Sequence, residues 1–144
     1  MDGSVDLSFE SFKDIRNMPS TKGKGWLASE IKQEDWTVAL NSSAIREIAS
    51  MVNQTRQNPL PTLLLKPEQF EIPELQSAYK QTKAICDQGA GFAVIDKLPI
   101  DDFEIEDMVN VYWTLGHLMG RNVAQKWEGT MIYNVTDTGK KYEY

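Results

Sequence analysis

The residues best suited to binding a small molecule lie in one stretch, GRNVAQKWEGTMIYNV, at positions 120–135. Gln125 offers an amide, Trp127 an indole and Tyr133 a phenol. Polar groups beside an exposed aromatic, on a loop held between rigid elements, are typical of a pocket rim. Gln125, Trp127 and Tyr133 are therefore predicted to bind substrate. The alternative interpretation, that Trp127 only covers an edge of the core, stays open.

Catalytic and metal-binding groups are scarce elsewhere. The chain has one cysteine, Cys86, and one histidine, His117. It cannot supply about four ligands for structural zinc or two histidines for a facial iron triad. Cys86 is predicted to be buried on an apolar helix stripe, and His117 to lie near a helix C-terminus. The acidic run at 101–107 fits a helix start better than a calcium loop. No catalytic residue or metal ligand is assigned.

The composition indicates one acidic globular domain. Of 144 residues, 41% are hydrophobic and 25% charged, and 15 basic against 21 acidic residues give a net charge of −6. This charge disfavours nucleic acid and anionic membranes as partners. No apolar run approaches the roughly 20 residues of a membrane span. The single cysteine and the polar, acidic N-terminus favour a cytoplasmic protein.

Apolar periodicity and capping residues predict the elements of the first two thirds of the chain. Residues 1–24 form a flexible segment, and 25–144 belong to one domain. Residues 26–40 are a short helix or turn-rich stretch. Helices follow from a cap at Asn41 or Ser42 to Asn58, and from Pro73 to a left-handed stop at Gly89. Short strands are predicted at 62–65 and 92–95.

A third helix is the strongest prediction of the sequence. Asp101 or Asp102 is expected to cap it, and Gly120 to end it. Beyond it, alternating residues at 131–136 predict a strand, 137–139 a turn, and a further strand begins at Tyr142. The predicted fold class is α+β, with helices packed on a β-sheet. The core face of the third helix is predicted to comprise Ile105, Met108, Val109, Tyr112, Leu115 and Met119.

Several short motifs together resemble the N-terminal portion of the TauD/TfdA family, the taurine-dioxygenase-like iron(II)/2-oxoglutarate oxygenases. The resemblance covers about residues 70–144. A Gly-Phe-led strand precedes a Leu-Pro turn, a helix ends in paired glycines, and a Gln-to-Gly loop leads into a strand and an Asp-x-Gly turn. The matching positions are Gly91-Phe92, Leu98-Pro99, Leu115-Gly116, Met119-Gly120, Gln125 with Gly129, and Val135 to Gly139.

This resemblance implies a double-stranded β-helix (jelly-roll) fold in the complete protein. Such relatives hold Fe(II) with two histidines and an aspartate, and bind 2-oxoglutarate with a later arginine. These residues would lie beyond 144, so 1–144 alone is not expected to be active. The implied partners are a small-molecule substrate and molecular oxygen. Hydroxylation of a C–H bond is the default outcome; desaturation, cyclisation and halogenation stay open.

Two other interpretations remain from the sequence. One is a non-catalytic binding or interaction module derived from that fold, whose exposed strand pairs with another chain or forms a homo-oligomer. The other is an unrelated acidic α+β enzyme with unrecognised catalytic carboxylates. In the family resemblance, Gln125 to Trp127 and Tyr133 occupy the region of the substrate-covering elements.

Overall fold

A computed structural model describes residues 25–137 and 139, which form three helices and a two-stranded parallel sheet. This mixed architecture is compatible with the predicted α+β class. The predicted flexible segment 1–24 and the strand expected at Tyr142 lie outside the described residues. The elements in chain order are β1 (Thr37–Ala39), α1 (Ser42–Gln57), α2 (Pro73–Gln88), β2 (Val94–Asp96) and α3 (Ile105–Met119).

The sheet pairs β1 with β2 in parallel, with Val38 opposite Ile95. A parallel pair needs a long crossover, which α1 and α2 provide. Val38 is buried and α2 packs against β1. The prediction for residues 26–40 was therefore incomplete: it included turns but no strand. Three residues are too few for an alternating pattern to show, and the partner strand lies more than 50 residues away.

The core lies between the three helices, each of which contacts the other two. Asn41 begins α1 as predicted, since its side-chain oxygen accepts a hydrogen bond of 2.8 Å from the Ala44 amide. α1 ends at Gln57, before Asn58 and Pro59, also as predicted. The buried cluster comprises Ala44, Ile48, Met51, Val52, Ile72, Leu75, Tyr79, Met108, Val111 and Leu115.

The N-terminus of α2 is capped by a side chain from α1. Ile72 precedes α2 and cannot cap it, although Pro73 begins the helix as predicted. The two carboxylate oxygens of Glu47 accept hydrogen bonds of 2.9 Å each from the amides of Glu74 and Leu75. A carboxylate at this position satisfies orphan amides and interacts favourably with the helix dipole. Glu47 therefore fixes α1 against α2.

α3 begins later and faces differently from the prediction. It starts at Ile105, after Glu104, so neither Asp101 nor Asp102 caps it. Ile105 and Tyr112 were predicted to be in the core, yet they are 79% and 64% exposed. The helix is apolar on most of its circumference, so periodicity alone did not identify the inner face. The buried positions are Met108, Val111, Trp113, Thr114 and Leu115.

Two polar contacts attach α3 to the preceding segments. Arg56, at the end of α1, donates to both oxygens of Asp107 at 3.2 and 2.6 Å. The carboxylate raises the pKa of the Arg56 guanidinium, through the hydrogen bond first and charge attraction second. The Thr62 hydroxyl lies 2.6 Å from the amide oxygen of Asn110. These contacts set the position of α3, from which the candidate site is built.

Two further local predictions were wrong, and a third is tested only within the described residues. Thr62–Leu64 is a 3-10 turn rather than a strand, and Leu63 and Leu64 are exposed. Gly89 ends α2 with φ of −103°, so the predicted left-handed residue is instead Gly91, with φ of 82°. Residues 131–136 form no strand with the described part of the chain. The predicted turn is present: the Gly139 amide donates to Asp137 Oδ1 at 2.7 Å.

Replacing Glu47 with alanine should lower the free energy of unfolding by about 2 kcal/mol, because two backbone amides in the first turn of α2 lose a charged acceptor. Glu47→Gln, which retains one acceptor oxygen, should lose less. Urea unfolding followed by far-UV circular dichroism measures both. Glu68→Ala, at an exposed position, is the matched control. Equal stability of Glu47→Ala and this control would contradict the capping role.

Stability at alkaline pH should depend on Tyr79, which is only 8% exposed. Burial, with a smaller contribution from Tyr112, raises the pKa of Tyr79 to about 12. Between pH 10 and 12 the folded state therefore keeps the Tyr79 proton, whereas the unfolded state loses it. The free energy of unfolding consequently falls as pH rises through this range. From pH 8 to pH 11 the free energy of unfolding of the wild type should fall by about 1 kcal/mol more than that of Tyr79→Phe, which has no phenol to titrate. Unfolding at pH 8 and 11 tests this, with exposed Tyr133→Phe as control; identical pH dependence of all three proteins would refute it.

Candidate functional site

An open cleft of about 320 Å³ separates α3 from the chain that follows it. One wall is the exposed side of α3, and the other is formed by residues 122–135 as they return along the helix. Apolar and aromatic side chains with a few amide groups are the usual composition of a small-molecule site. The lining residues are Tyr112, Trp113, Gly116, Asn122, Val123, Gln125, Met131, Ile132, Tyr133 and Val135.

Gly116 and Asn122 hold the two walls close together. A Cβ atom on Gly116 would lie 3.2 Å from Oδ1 of Asn122, so a larger residue would push Asn122 away. The Asn122 amide also donates to the carbonyl of Trp113 at 3.3 Å. This contact attaches the returning chain to the backbone of α3. The glycine in the helix thus permits the chain to fold back and form the cleft.

A tight turn positions Gln125 on the second wall. The Gln125 backbone amide donates to the Thr130 carbonyl at 2.7 Å, and the Gly129 backbone amide donates to the Lys126 carbonyl at 3.0 Å. Gly129 has φ of 90°, a left-handed conformation that favours glycine. The Gln125 side chain donates from Nε2 to the Val123 carbonyl at 2.9 Å. Its amide oxygen receives no hydrogen bond from the described residues and can accept one from a ligand.

The electrostatic character of the cleft differs from that of the whole chain. Every lining residue is uncharged, although the net charge of the protein is −6. The Lys126 ammonium lies 4.9 Å from the centre of the Tyr133 ring, a cation–π distance. Tyr133 lines the cleft and is 49% exposed. Lys126 thus places one positive charge beside the Tyr133 ring at the rim of the cleft.

Of the three predicted binding residues, the structure brings two into this cleft. Gln125 and Tyr133 both line it, on the wall that follows α3. Trp127 lies at the tip of the turn, 98% exposed, and does not line the cleft. Its alternative interpretation, as a cover for the core edge, is wrong, since it buries almost nothing. Binding by any of the three stays a prediction.

Trp113 and His117 form a second notable pair on α3. Their rings meet edge to face at 5.1 Å, and His117 lies near the helix C-terminus as predicted. The Trp113 indole N–H and His117 Nε2 are buried, with no hydrogen-bond partner among the described residues. Trp113 forms part of the cleft wall, whereas His117 does not. The edge-to-face contact thus places the His117 ring behind the helix wall of the cleft, against Trp113.

The described residues do not fit an iron centre. They contain no group of three His, Cys, Asp or Glu side chains placed to hold a metal ion. His117 packs on Trp113, and Cys86 is half-buried on α2 rather than fully buried as predicted. The acidic residues at 101–107 likewise form no such group. An iron ion would need ligands from outside this part of the chain.

Sequence reasoning missed most of the helix side of the cleft. Tyr112 was predicted to be in the core, and Trp113, Gly116 and Asn122 were not proposed as site residues. Gly116 was the available signal, because a glycine inside an apolar helix indicates a close approach by another part of the chain.

A smaller hollow of about 120 Å³ lies beside the end of α1, lined by Gln54, Thr55, Asn58, Leu60, Leu65, Gln69 and Phe70.

Comparison with protein-family models gives no match to this sequence, and comparison with curated proteins gives none either. Across the described part of the chain, none of the helices has the length and apolar character needed to cross a membrane. Function is therefore inferred from the motifs of the sequence and from the geometry of the cleft.

Replacement of the tryptophans at 113 and 127 should lower the free energy of unfolding by very different amounts. Trp127→Ala should change the free energy of unfolding by less than about 0.5 kcal/mol, because its side chain lies in solvent. Trp113→Ala, with 6% exposure, should lose about 3–5 kcal/mol. Urea unfolding compares them, and acrylamide quenching should show that Trp127 is the more accessible. A stability loss above about 1.5 kcal/mol for Trp127→Ala would show that it packs on the core.

Proposed function

We propose that this chain is the N-terminal part of an iron(II)/2-oxoglutarate-dependent oxygenase that oxidises a C–H bond of a small molecule. The observation that carries the proposal is the cleft beside α3, which contains Gln125 and Tyr133 in the segment that resembles the substrate-covering region of TauD/TfdA enzymes. The mixed architecture, with three helices and a small sheet, is compatible with the α+β class that this proposal requires. We also propose a cytoplasmic location, since a single cysteine suits a reducing compartment.

In this proposal, the described residues bind and orient the substrate, and the metal and 2-oxoglutarate are held by residues outside 1–144. Trp113 and Tyr112 offer an apolar wall that excludes water from one side of the substrate. Gln125 offers an amide oxygen that can accept a hydrogen bond, and so fixes the orientation of a polar group. Lys126 adds positive charge beside Tyr133.

The natural polypeptide that contains this sequence provides the test. Under anaerobic conditions, Fe(II) with 2-oxoglutarate should produce a visible charge-transfer absorption that saturates at about one iron per chain, as one site requires. Mg²⁺ in place of Fe(II), and succinate in place of 2-oxoglutarate, are the controls. In air and with the true substrate, the same mixture should release succinate and CO2, with one oxygen atom of O2 entering succinate and the other entering the substrate.

Failure of iron to bind would overturn the oxygenase proposal. The interaction-module interpretation would then replace it, because the cleft and its exposed aromatics would remain without a catalytic centre. Binding of iron without the 2-oxoglutarate-dependent absorption would also contradict the proposal, since it would indicate a different metal chemistry. The cleft variant Gln125→Ala should retain the absorption, because it removes only a substrate contact.

A further inference from the structure

The segment Met131–Thr136 has strand chemistry but no strand partner among the described residues. Its residues alternate, with Met131, Tyr133 and Val135 on one side and Ile132, Asn134 and Thr136 on the other. Aromatic and β-branched residues predominate, which favours a strand. Within the described part of the chain, its backbone amides and carbonyls form no hydrogen bonds. A row of unpaired groups of this kind is a template for another strand.

A hydrogen bond to the preceding turn holds the first end of this segment, and a further turn follows its second end. Before it, the Thr130 carbonyl accepts from Gln125 at 2.7 Å. After it, Asp137 forms a side-chain turn with the amide of Gly139, which has φ of 65°. A segment held at one end loses less conformational entropy on pairing than a free one. The exposed side chains of its apolar side include Tyr133, 49% exposed, and Val135, 87% exposed; Asn134 and Thr136 on the other side are exposed too.

Charge selects the partner. The six residues 131–136 carry no charge, although the chain as a whole has a net charge of −6. Two copies of this segment can therefore approach each other without repulsion between charged side chains of the segment, although each chain as a whole has a net charge of −6. Neutral six-residue segments of high strand propensity, without proline or glycine, are also those that pair with copies of themselves.

We propose that Met131–Thr136 pairs antiparallel with the same segment of a second copy of this chain, about a two-fold axis at Tyr133. In this register Met131 lies opposite Val135 of the other copy, and Tyr133 lies opposite itself, so the apolar residues share one face. A register shifted by one residue would place Tyr133 opposite Asn134 and mix the two faces. The two-fold arrangement is closed, so it gives a dimer and not a filament.

The dimer does not depend on the oxygenase proposal, because its evidence is the lack of backbone partners for 131–136 among the described residues and the neutrality of the segment. It does involve the same cleft, since Tyr133 and Val135 line it. The second copy would then cover the outer side of this cleft. The two proposals fail separately: iron binding tests the enzyme, and oligomeric state and cross-linking test the dimer.

Cross-linking of the full natural chain tests the register directly. In a Cys86→Ser background, Tyr133→Cys places two thiols opposite each other across the axis, within the Cα separation of about 4.4–6.8 Å that a disulfide needs. Val135→Cys is the matched control on the same face. Its two copies would lie about 13 Å apart along the paired strands, too far for a disulfide. Mild oxidation should therefore give severalfold more disulfide-linked dimer from Tyr133→Cys.

Sedimentation velocity of the unmodified full chain, over about a hundredfold range of concentration, should show a monomer–dimer equilibrium. Tyr133→Lys should abolish the dimer, because it brings two positive charges together on the axis. Asn134→Lys, on the opposite face, should retain it, and circular dichroism confirms that each variant is folded. Equal cross-linking of both cysteine variants, a monomer throughout, or open-ended aggregates without a dimer would overturn the proposal.

Discussion

The contact between the Glu47 carboxylate and the first amides of α2 is the one on which the positions of the helices depend. It replaces the cap that Ile72 cannot provide, and it fixes the angle at which α1 meets α2. Asn41 strengthens this junction, because it caps α1 and also donates to Glu74 at 2.8 Å. α3 then packs into the groove between the two helices, guided by the Arg56–Asp107 pair. Since one wall of the cleft is α3 itself, this junction also sets the geometry of the candidate site.

The properties of α3 connect packing with function. Its inner side supplies Met108, Val111 and Leu115 to the core, and its outer side keeps Tyr112 and Ile105 in solvent. A surface helix ordinarily carries polar residues on its outer side, so this apolar surface points to a ligand or another polypeptide. Gly116 allows the following chain to return over that surface and enclose part of it. The outer side of α3 thus forms one wall of the cleft, and the strand-like segment 131–136 forms part of the other wall.

Local signals in the sequence predicted local structure, and they did not predict contacts between distant residues. The limits of α1 and α2 followed from Asn41, Pro59 and Pro73, whose chemistry acts within one turn. The strand β1 and the Glu47 cap depend on partners about 27 to 57 residues away, which no short pattern encodes. Two residues that line the candidate cleft, Gln125 and Tyr133, were selected from the sequence, because polar side chains beside aromatic ones are distinctive on a loop. Tyr112 and Trp113 were not, because they resemble ordinary core residues of a helix.

The oxygenase proposal is tested most directly by the intact mass and iron content of the protein as isolated from its natural source. We expect a mass well above the 16.4 kDa of these 144 residues, with about one iron per chain, because the described residues contain no group of side chains placed to hold the metal. A mass of 16.4 kDa with no iron would contradict the oxygenase proposal and leave the cleft as an interaction surface.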